Sequence, residues 1–296
     1  MILYSLRSSP LLRSRTLAPR TYRSISKRAR MSLETASQER TAELLESLAE
    51  IQNRTKAASS GSLSTLIAVS KLKPASDILL CHGAGQLDFG ENYVQELEEK
   101  AQILPTDIRW HFIGTLQSNK AKALASAIPN LFCVQTLGSV KAAAALNNAL
   151  PEERTLRVLI QVNTSGEDSK SGLPALTASS DLVSSELAQL AKHVLLECPK
   201  LRLAGLMTIG ALEQSLTASE TEKNADFETL KATRDALAGY LTSSFPEKKD
   251  SWGEDGKLVL SMGMSSDFEA ALKAGSDIVR VGTGIFGSRP KKTTSQ

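Results

Sequence analysis

With 296 residues, 41% of them hydrophobic and 23% charged, the chain can bury a full core as one large α/β domain or two small ones, and no apolar run approaches the roughly 20 residues needed to cross a bilayer. The net charge of +3 hides an asymmetry: Arg7, Arg13, Arg15, Arg20, Arg23, Lys27, Arg28 and Arg30 all precede the first acid, Glu34, and without these eight cations the rest carries 27 basic against 32 acidic residues. A mildly acidic body argues against a nucleic-acid groove, and neither a nucleic-acid nor a membrane partner is expected.

Residues 1–31 are Arg-rich, Ser-rich and acid-free, the pattern of a mitochondrial transit peptide. The alternatives are a disordered basic tail or an upstream extension of a cytosolic protein whose effective start is Met31, so the expected location is mitochondrial, cytoplasmic or both. The three cysteines, Cys81, Cys133 and Cys198, lack the close spacing of a zinc site or redox pair and read as reduced thiols of an intracellular protein.

From Ser32 the elements follow in order. Ser32 with Glu34, then Leu44, Leu45, Leu48 and Ile51, predicts a capped amphipathic helix ending at Ala57 to Gly61. The apolar run Leu66 to Ser70 predicts a strand that ends in Lys71 and breaks at Pro74. Ser76 can cap a helix running to Gly83. A short strand Leu87 to Gly90 opens on Glu91-Asn92-Tyr93, and a charged helix with Val94, Leu97 and Ala101 runs to Pro105. Strand 108–114, helix 118–128, strand 131–137, helix 140–150 and strand 156–163 continue the alternation. Helix 182–197, strand 203–209, a polar loop around 214–221, helix 227–241, strand 258–261, helix 267–274 and strand 277–281 complete it.

Eight strands alternating with helices imply parallel strands with right-handed crossovers. Their span matches a closed (β/α)8 TIM barrel over 32–290 with an extra N-terminal helix and a short polar tail at 291–296. The alternative, a doubly wound open sheet, would normally carry Gly-x-Gly-x-x-Gly after its first strand, where this chain has Ser70-Lys71-Leu72-Lys73-Pro74.

In such a barrel, reactive groups sit at the C-terminal strand ends, and the last two loops often bind phosphate. Strand seven ends Ser261-Met262-Gly263-Met264-Ser265-Ser266-Asp267, and strand eight ends Arg280-Val281-Gly282-Thr283-Gly284. Small and hydroxylic residues entering a helix offer amides to an anion. Ordinary capping by Ser265 or Ser266 and a plain glycine turn are the simpler readings. Lys71, by itself, is most simply a solvated lysine just past a strand. Together the three segments describe an amine beside a phosphate cup, which suits an aldehyde carrying a phosphate, with pyridoxal 5'-phosphate the first candidate cofactor. Arg280 lies in an otherwise apolar strand and needs either a carboxylate partner or a ligand acceptor; facing a pyridine nitrogen, it would keep that nitrogen unprotonated.

The motifs Val69-Ser70-Lys71-x-Lys73-Pro74, Phe89-Gly90-Glu91-Asn92-Tyr93-Val94-Gln95-Glu96, Trp110-His111-Phe112-Ile113-Gly114, Leu116-Gln117-Ser118-Asn119-Lys120 and Ser169-Lys170-Ser171-Gly172, with Gly205-Leu206-Met207 and the two loops just quoted, resemble the pyridoxal phosphate homeostasis proteins. These are single-domain relatives of the barrel half of bacterial alanine racemase, so the resemblance implies a fold-type III cofactor-binding barrel from about Leu44 to Arg289. It implies that Lys71 forms the Schiff base, that Ser261, Gly263, Met264, Ser265, Gly282 and Thr283 hold the phosphate, and that Arg280 faces the ring nitrogen. It also brings Asn92 and His111 near the cofactor, although a turn-forming asparagine and a hydrogen-bonded core histidine remain equally simple readings. The polar inserts near 175–180 and 214–221 depart from the family without interrupting a cofactor motif.

Alanine racemase uses the cofactor lysine and a tyrosine from a second domain, and only nine residues follow Gly287 here. The expected function is therefore a monomeric carrier that supplies the cofactor to apoenzymes, not a robust catalyst. A slow amino-acid racemase is the alternative. A Schiff-base aldolase acting on a sugar phosphate would leave Arg280 unexplained.

Overall fold

The computed structural model describes residues 36–59, 64–176, 182–210, 224–254 and 256–288. Helix α1, Gln38–Ala58, buries Leu44, Leu48, Ile51 and Thr55, a spacing that lines one helical face. Its cap is Ser37, whose side chain accepts the Arg40 amide. The expected cap at Ser32 and Glu34 lies outside the described residues, as do segment 1–31, the loop at 214–221 and the tail at 291–296.

Strand β1, Thr65–Val69, is buried along nearly its whole length, as expected where helices cover one face and the barrel interior the other. Helix α2, Ala75–Gly83, starts directly after Pro74, which occupies the cap position without a side-chain bond; Ser76 sits inside the first turn and is not the cap. Strand β2, Asp88–Glu91, helix α3, Val94–Ala101, strand β3, Arg109–Phe112, and helix α4, Ser118–Ala127, follow. Next come β4, Leu131–Leu137, α5, Val140–Ala149, and β5, Leu156–Asn163.

A two-residue strand β6, Leu173–Pro174, pairs with the end of β5. It was not expected from sequence, because two residues carry no periodicity. Helix α6, Glu186–Glu197, is capped by Ser185. Strand β7, Leu201–Met207, helix α7, Ala225–Ser244, strand β8, Val259–Ser261, helix α8, Phe268–Lys273, strand β9, Ile278–Val281, and the short helix α9, Thr283–Phe286, complete the chain.

The parallel order β4-β3-β2-β1-β9-β8-β7-β5 closes through a β4–β5 pairing, so the expected eight-stranded barrel is the observed one and the open sheet is excluded. Helix α1 lies across α2, α8 and α9, and an Arg54–Glu269 ion pair at 2.8 Å ties it to α8. Burying Leu44, Leu48 and Ile51 there stabilises the fold by about 1.5–3 kcal/mol each. Inside the barrel, apolar side chains form two small clusters, Cys133, Leu159, Ala204 and Met207 in one and Ile67, Val69 and Ile113 in the other. All three cysteines are free and buried, and burial pushes the Cys81 and Cys133 thiols up to about 12. Among the described residues no helix is long and apolar enough to cross a membrane.

Close strand approach makes one glycine obligatory. A Cβ on Gly205 in β7 would lie 2.0 Å from the carbonyl oxygen of Val259 in β8. Gly205→Ala must therefore push two paired strands apart, and a loss of about 3 kcal/mol is expected in urea unfolding; an unchanged midpoint would refute this account of the β7–β8 contact.

Candidate functional site

The C-terminal ends of the strands gather most of the singled-out residues. Lys71 follows β1 by two residues and Asn92 follows β2 by one; Ser261 ends β8, Arg280 lies in β9, and Gly282 and Thr283 follow it directly. What joins β1 to the last loop is a close approach: a Cβ on Gly282 would meet the Val69 Cβ and carbonyl oxygen at 3.4 Å. The loop after β9 thus lies against the residue that introduces Ser70 and Lys71.

The turn carrying Lys71 is built on a buried ionic cluster. The Ser70 hydroxyl donates to Glu91 Oε1 at 2.6 Å. Lys100 Nζ, on α3, donates to the Ser70 carbonyl oxygen at 2.8 Å and to Glu91 Oε1 and Glu96 Oε1 at 2.7 Å each. Glu96 Oε1 also accepts the Leu72 amide at 2.7 Å. Leu72 has φ +60, a left-handed conformation that costs a non-glycine residue about 1–2 kcal/mol, and the charge-assisted bond from its amide offsets that strain. Lys71, flanked by two anchored neighbours, is half-buried. Burial, together with the nearby Glu96, raises Glu91 to about 7 despite Lys100, and its Oε2 has no hydrogen-bond partner among the described residues.

The two loops of the expected phosphate cup are joined to each other. Ser265 Oγ accepts the Gly282 amide at 3.1 Å, so Ser265 bridges the loops instead of capping a helix. The capping position belongs to Asp267, whose Oδ1 accepts the Met264 amide at 2.6 Å. Gly263 takes φ +93, and a Cβ there would lie 2.5 Å from Ala271 Cβ; glycine lets this loop fold onto α8. The amides of Ser265, Ser266 and Thr283 are taken up by no hydrogen bond among the described residues. They are available to an anion.

Beneath the loops lies Arg280, only 4% exposed. Its Nη1 donates to Ser261 Oγ at 2.5 Å and its Nη2 to the Thr208 carbonyl oxygen at 2.7 Å. Both partners are neutral, so of the two alternatives left open by the sequence, a carboxylate partner or a ligand acceptor, the hydrogen bonds among the described residues do not supply the carboxylate. Burial lowers its pKa to about 10, which leaves it charged at neutral pH with donors to spare. Asn92 lines a polar cavity of about 240 Å³ at this end of the barrel, together with Thr136, Gln161, Lys170 and Thr208. Its Oδ1 is buried without a partner among the described residues.

His111 is placed differently. Its ring sits inside the barrel, with Nε2 2.9 Å from Asp88 Oδ1 and Nδ1 3.2 Å from Gln135 Nε2. It lines the cavity of about 810 Å³ at the N-terminal mouth. Among the described residues it is linked to Arg280 through Gln135 and Ser261, as a hydrogen-bonded core histidine.

Sequence reading did not single out the Glu91, Glu96 and Lys100 cluster, Gln135 or Thr208. Three of these left a trace: Glu96 and Lys100 are four apart on a helix, the spacing of an ion pair, and Gln135 interrupts an apolar strand as Arg280 does.

The residues present suit pyridoxal phosphate: a primary amine at the barrel mouth, unclaimed amides and hydroxyls for a phosphate, a buried guanidinium and an unpartnered Asn92 oxygen. Residues 45–290 match the family model of the alanine racemase N-terminal domain. The pyridoxal phosphate homeostasis protein of Schizosaccharomyces pombe is 40% identical over 83% of this chain and 92% of its own. The Homo sapiens protein of the same name is 42% identical over 76% of each chain. The structure of Synechococcus elongatus PipY with PLP bound superimposes with a TM-score of 0.61 at 29% identity, covering 82% of this chain and all of that one.

The Glu91 cluster generates a pH prediction. The folded state holds the Glu91 proton more tightly than an unfolded glutamate at 4.5, so stability falls as pH rises from about 4.5 to about 7, with a slope of at most ~1.4 kcal/mol per pH unit. Urea midpoints across that range should flatten in Glu91→Gln; a slope that survives the substitution assigns it to another group.

Proposed function

Because the chain belongs to the pyridoxal phosphate homeostasis protein family, we propose that it holds pyridoxal 5'-phosphate reversibly as a Schiff base on Lys71 and supplies it to apoenzymes. The observation that carries this reading is the contact of the Gly282 loop with Val69, which sets the amine-bearing turn beside the amides suited to a phosphate. When bound, the cofactor supplies an aldehyde carbon that condenses with a primary amine, releasing one water.

The chain's own residues do the rest. Glu96 and Lys100 hold the turn on both sides of Lys71. Ser265, Ser266 and Thr283 offer amides to the phosphate, with the Ser265–Gly282 bond keeping the two loops together. Arg280 offers a guanidinium to the ring nitrogen and, having no proton to give up at neutral pH, leaves that nitrogen unprotonated. A ring kept in that state draws electrons weakly, which favours storage over carbanion chemistry. Asn92, which lines the polar cavity, would orient the ring substituents. Residues 1–31 serve as a mitochondrial targeting segment in this reading, and a fluorescent fusion of that segment reports whether they direct import.

Purified protein loaded with cofactor should be yellow, borohydride should fix the chromophore to the peptide containing Lys71, and Lys71→Ala should abolish the covalent adduct while leaving the unfolding midpoint within about 0.5 kcal/mol of the parent. A protein that gains no absorbance on addition of cofactor refutes the reading. Transfer to an apo-aminotransferase, without solvent deuterium entering Cα of added amino acids, is the expected behaviour of a carrier; sustained deuterium incorporation lost in Lys71→Ala would instead establish a racemase-type enzyme.

A further inference from the structure

A chain of hydrogen bonds crosses the barrel interior from Arg280 to the N-terminal mouth. Arg280 Nη1 lies 2.5 Å from Ser261 Oγ, Ser261 Oγ 2.7 Å from Gln135 Oε1, Gln135 Nε2 3.2 Å from His111 Nδ1, and His111 Nε2 2.9 Å from Asp88 Oδ1. Ser261, Gln135, His111, Asp88 and Arg280 are all buried, and Arg109 pairs with the other Asp88 oxygen. The chain links the adjacent strands β2, β3 and β4 across the barrel interior to Ser261 on β8 and Arg280 on β9.

The two ends determine its polarity. A guanidinium only donates and a carboxylate only accepts, while the serine, glutamine and neutral histidine between them can each do both. Starting from Arg280, Ser261 Oγ must accept, so its own proton goes to Gln135 Oε1. That leaves Gln135 Nε2 facing His111, whose Nδ1 must then accept. The ring proton is consequently on Nε2, aimed at Asp88. Turning the glutamine amide over would place a carbonyl oxygen at Nδ1 and demand a proton on both ring nitrogens, an imidazolium in the barrel interior. Burial, the largest influence on His111, favours the neutral ring, although Asp88 opposes it. The arrangement with every donor matched to an acceptor is therefore the one with neutral, Nε2-protonated His111.

We propose that His111 and Gln135 are positioning residues for Arg280: their one-way hydrogen bonds draw the Ser261 proton to Gln135, so that the Ser261 lone pair faces the guanidinium and holds its charge beneath the loops that receive the cofactor. Neither residue lines the polar cavity at the C-terminal end of the barrel. Any effect on bound cofactor rests on the function proposed above, whereas the polarity of the chain does not.

The decisive measurement is made first on cofactor-free protein. Nitrogen-15 spectra of the three histidines, with the His111 signals assigned by their disappearance in His111→Gln, should show an unprotonated Nδ1 and a protonated Nε2 at neutral pH. Gln135→Glu, which presents a carboxylate to Nδ1, should convert His111 to the imidazolium. In loaded protein, His111→Leu and Gln135→Glu should shift the absorption band of the bound cofactor, while His111→Gln, whose amide can accept from Gln135 and donate to Asp88, should restore the parent band. Borohydride labelling of Lys71 should persist in all three. A wild-type His111 protonated on Nδ1, or one band common to all four proteins, overturns the proposal. If His111→Leu does not fold, the wild-type spectrum and the Gln135→Glu pair still decide it, and if no variant binds cofactor the nitrogen spectra decide the polarity alone.

Discussion

The pairing of β1 with β9 is the constraint on which the rest of the molecule depends. It aligns Thr65 with Ile278 and Ile67 with Arg280, joining segments more than two hundred residues apart. Parallel pairing across such a separation has to overcome a long loop closure, and the seam is reinforced accordingly. Lys73 Nζ donates to the carbonyl oxygens of Phe286 at 2.9 Å and Gly287 at 3.1 Å. Arg40 on α1 reaches both Asp77 at 2.6 Å and the Phe286 carbonyl oxygen at 3.1 Å. These charge-assisted bonds tie the first strand's exit, the last helix and the N-terminal helix into one unit. The turn that carries Lys71 and the loop after β9 occupy neighbouring positions because this seam closes.

The second constraint is the polar layer inside the barrel. Barrel interiors are ordinarily filled by branched apolar side chains, yet here Arg280, Ser261, Gln135 and His111 are buried in addition to two small apolar clusters. Leaving one buried polar group unmatched costs about 1–3 kcal/mol, so such a layer is tolerable only if each member finds a partner. Asp88 meets this condition at the far end. Burial works against its charge, but the His111 and Arg109 hydrogen bonds outweigh that and hold its carboxyl below the usual range. The barrel thus gives up apolar filling at its centre to keep one guanidinium charged and aimed at the C-terminal mouth.

Around Lys71 the same logic applies on a smaller scale. A lysine that is only 6% exposed, Lys100, gathers one carbonyl and two carboxylates, and in doing so holds Ser70 from below while Glu96 holds Leu72. Such buried ion pairs add little net stability. Their consequence is geometric: the strained turn at Leu72 has one conformation, and Lys71 leaves the strand in a defined direction.

By itself, the amino-acid sequence determined the alternation of elements, the barrel, Lys71 at the exit of the first strand and the small-residue loops at the last two, because each of these is written in local spacing: apolar periodicity, breakers and glycines at turns. Arg280 was legible as a problem, a charge within an apolar strand, but not its solution. Only the tertiary structure decided that its partners are Ser261 and the Thr208 carbonyl, that Ser265 bridges two loops, that Lys100 supports the lysine turn, and that His111 belongs to the barrel interior. Each of those contacts joins residues on different elements of the fold, and hydrogen bonds between distant segments leave no periodic trace in the chain. Register across the closed sheet, set by all eight strands at once, is what brings them within reach.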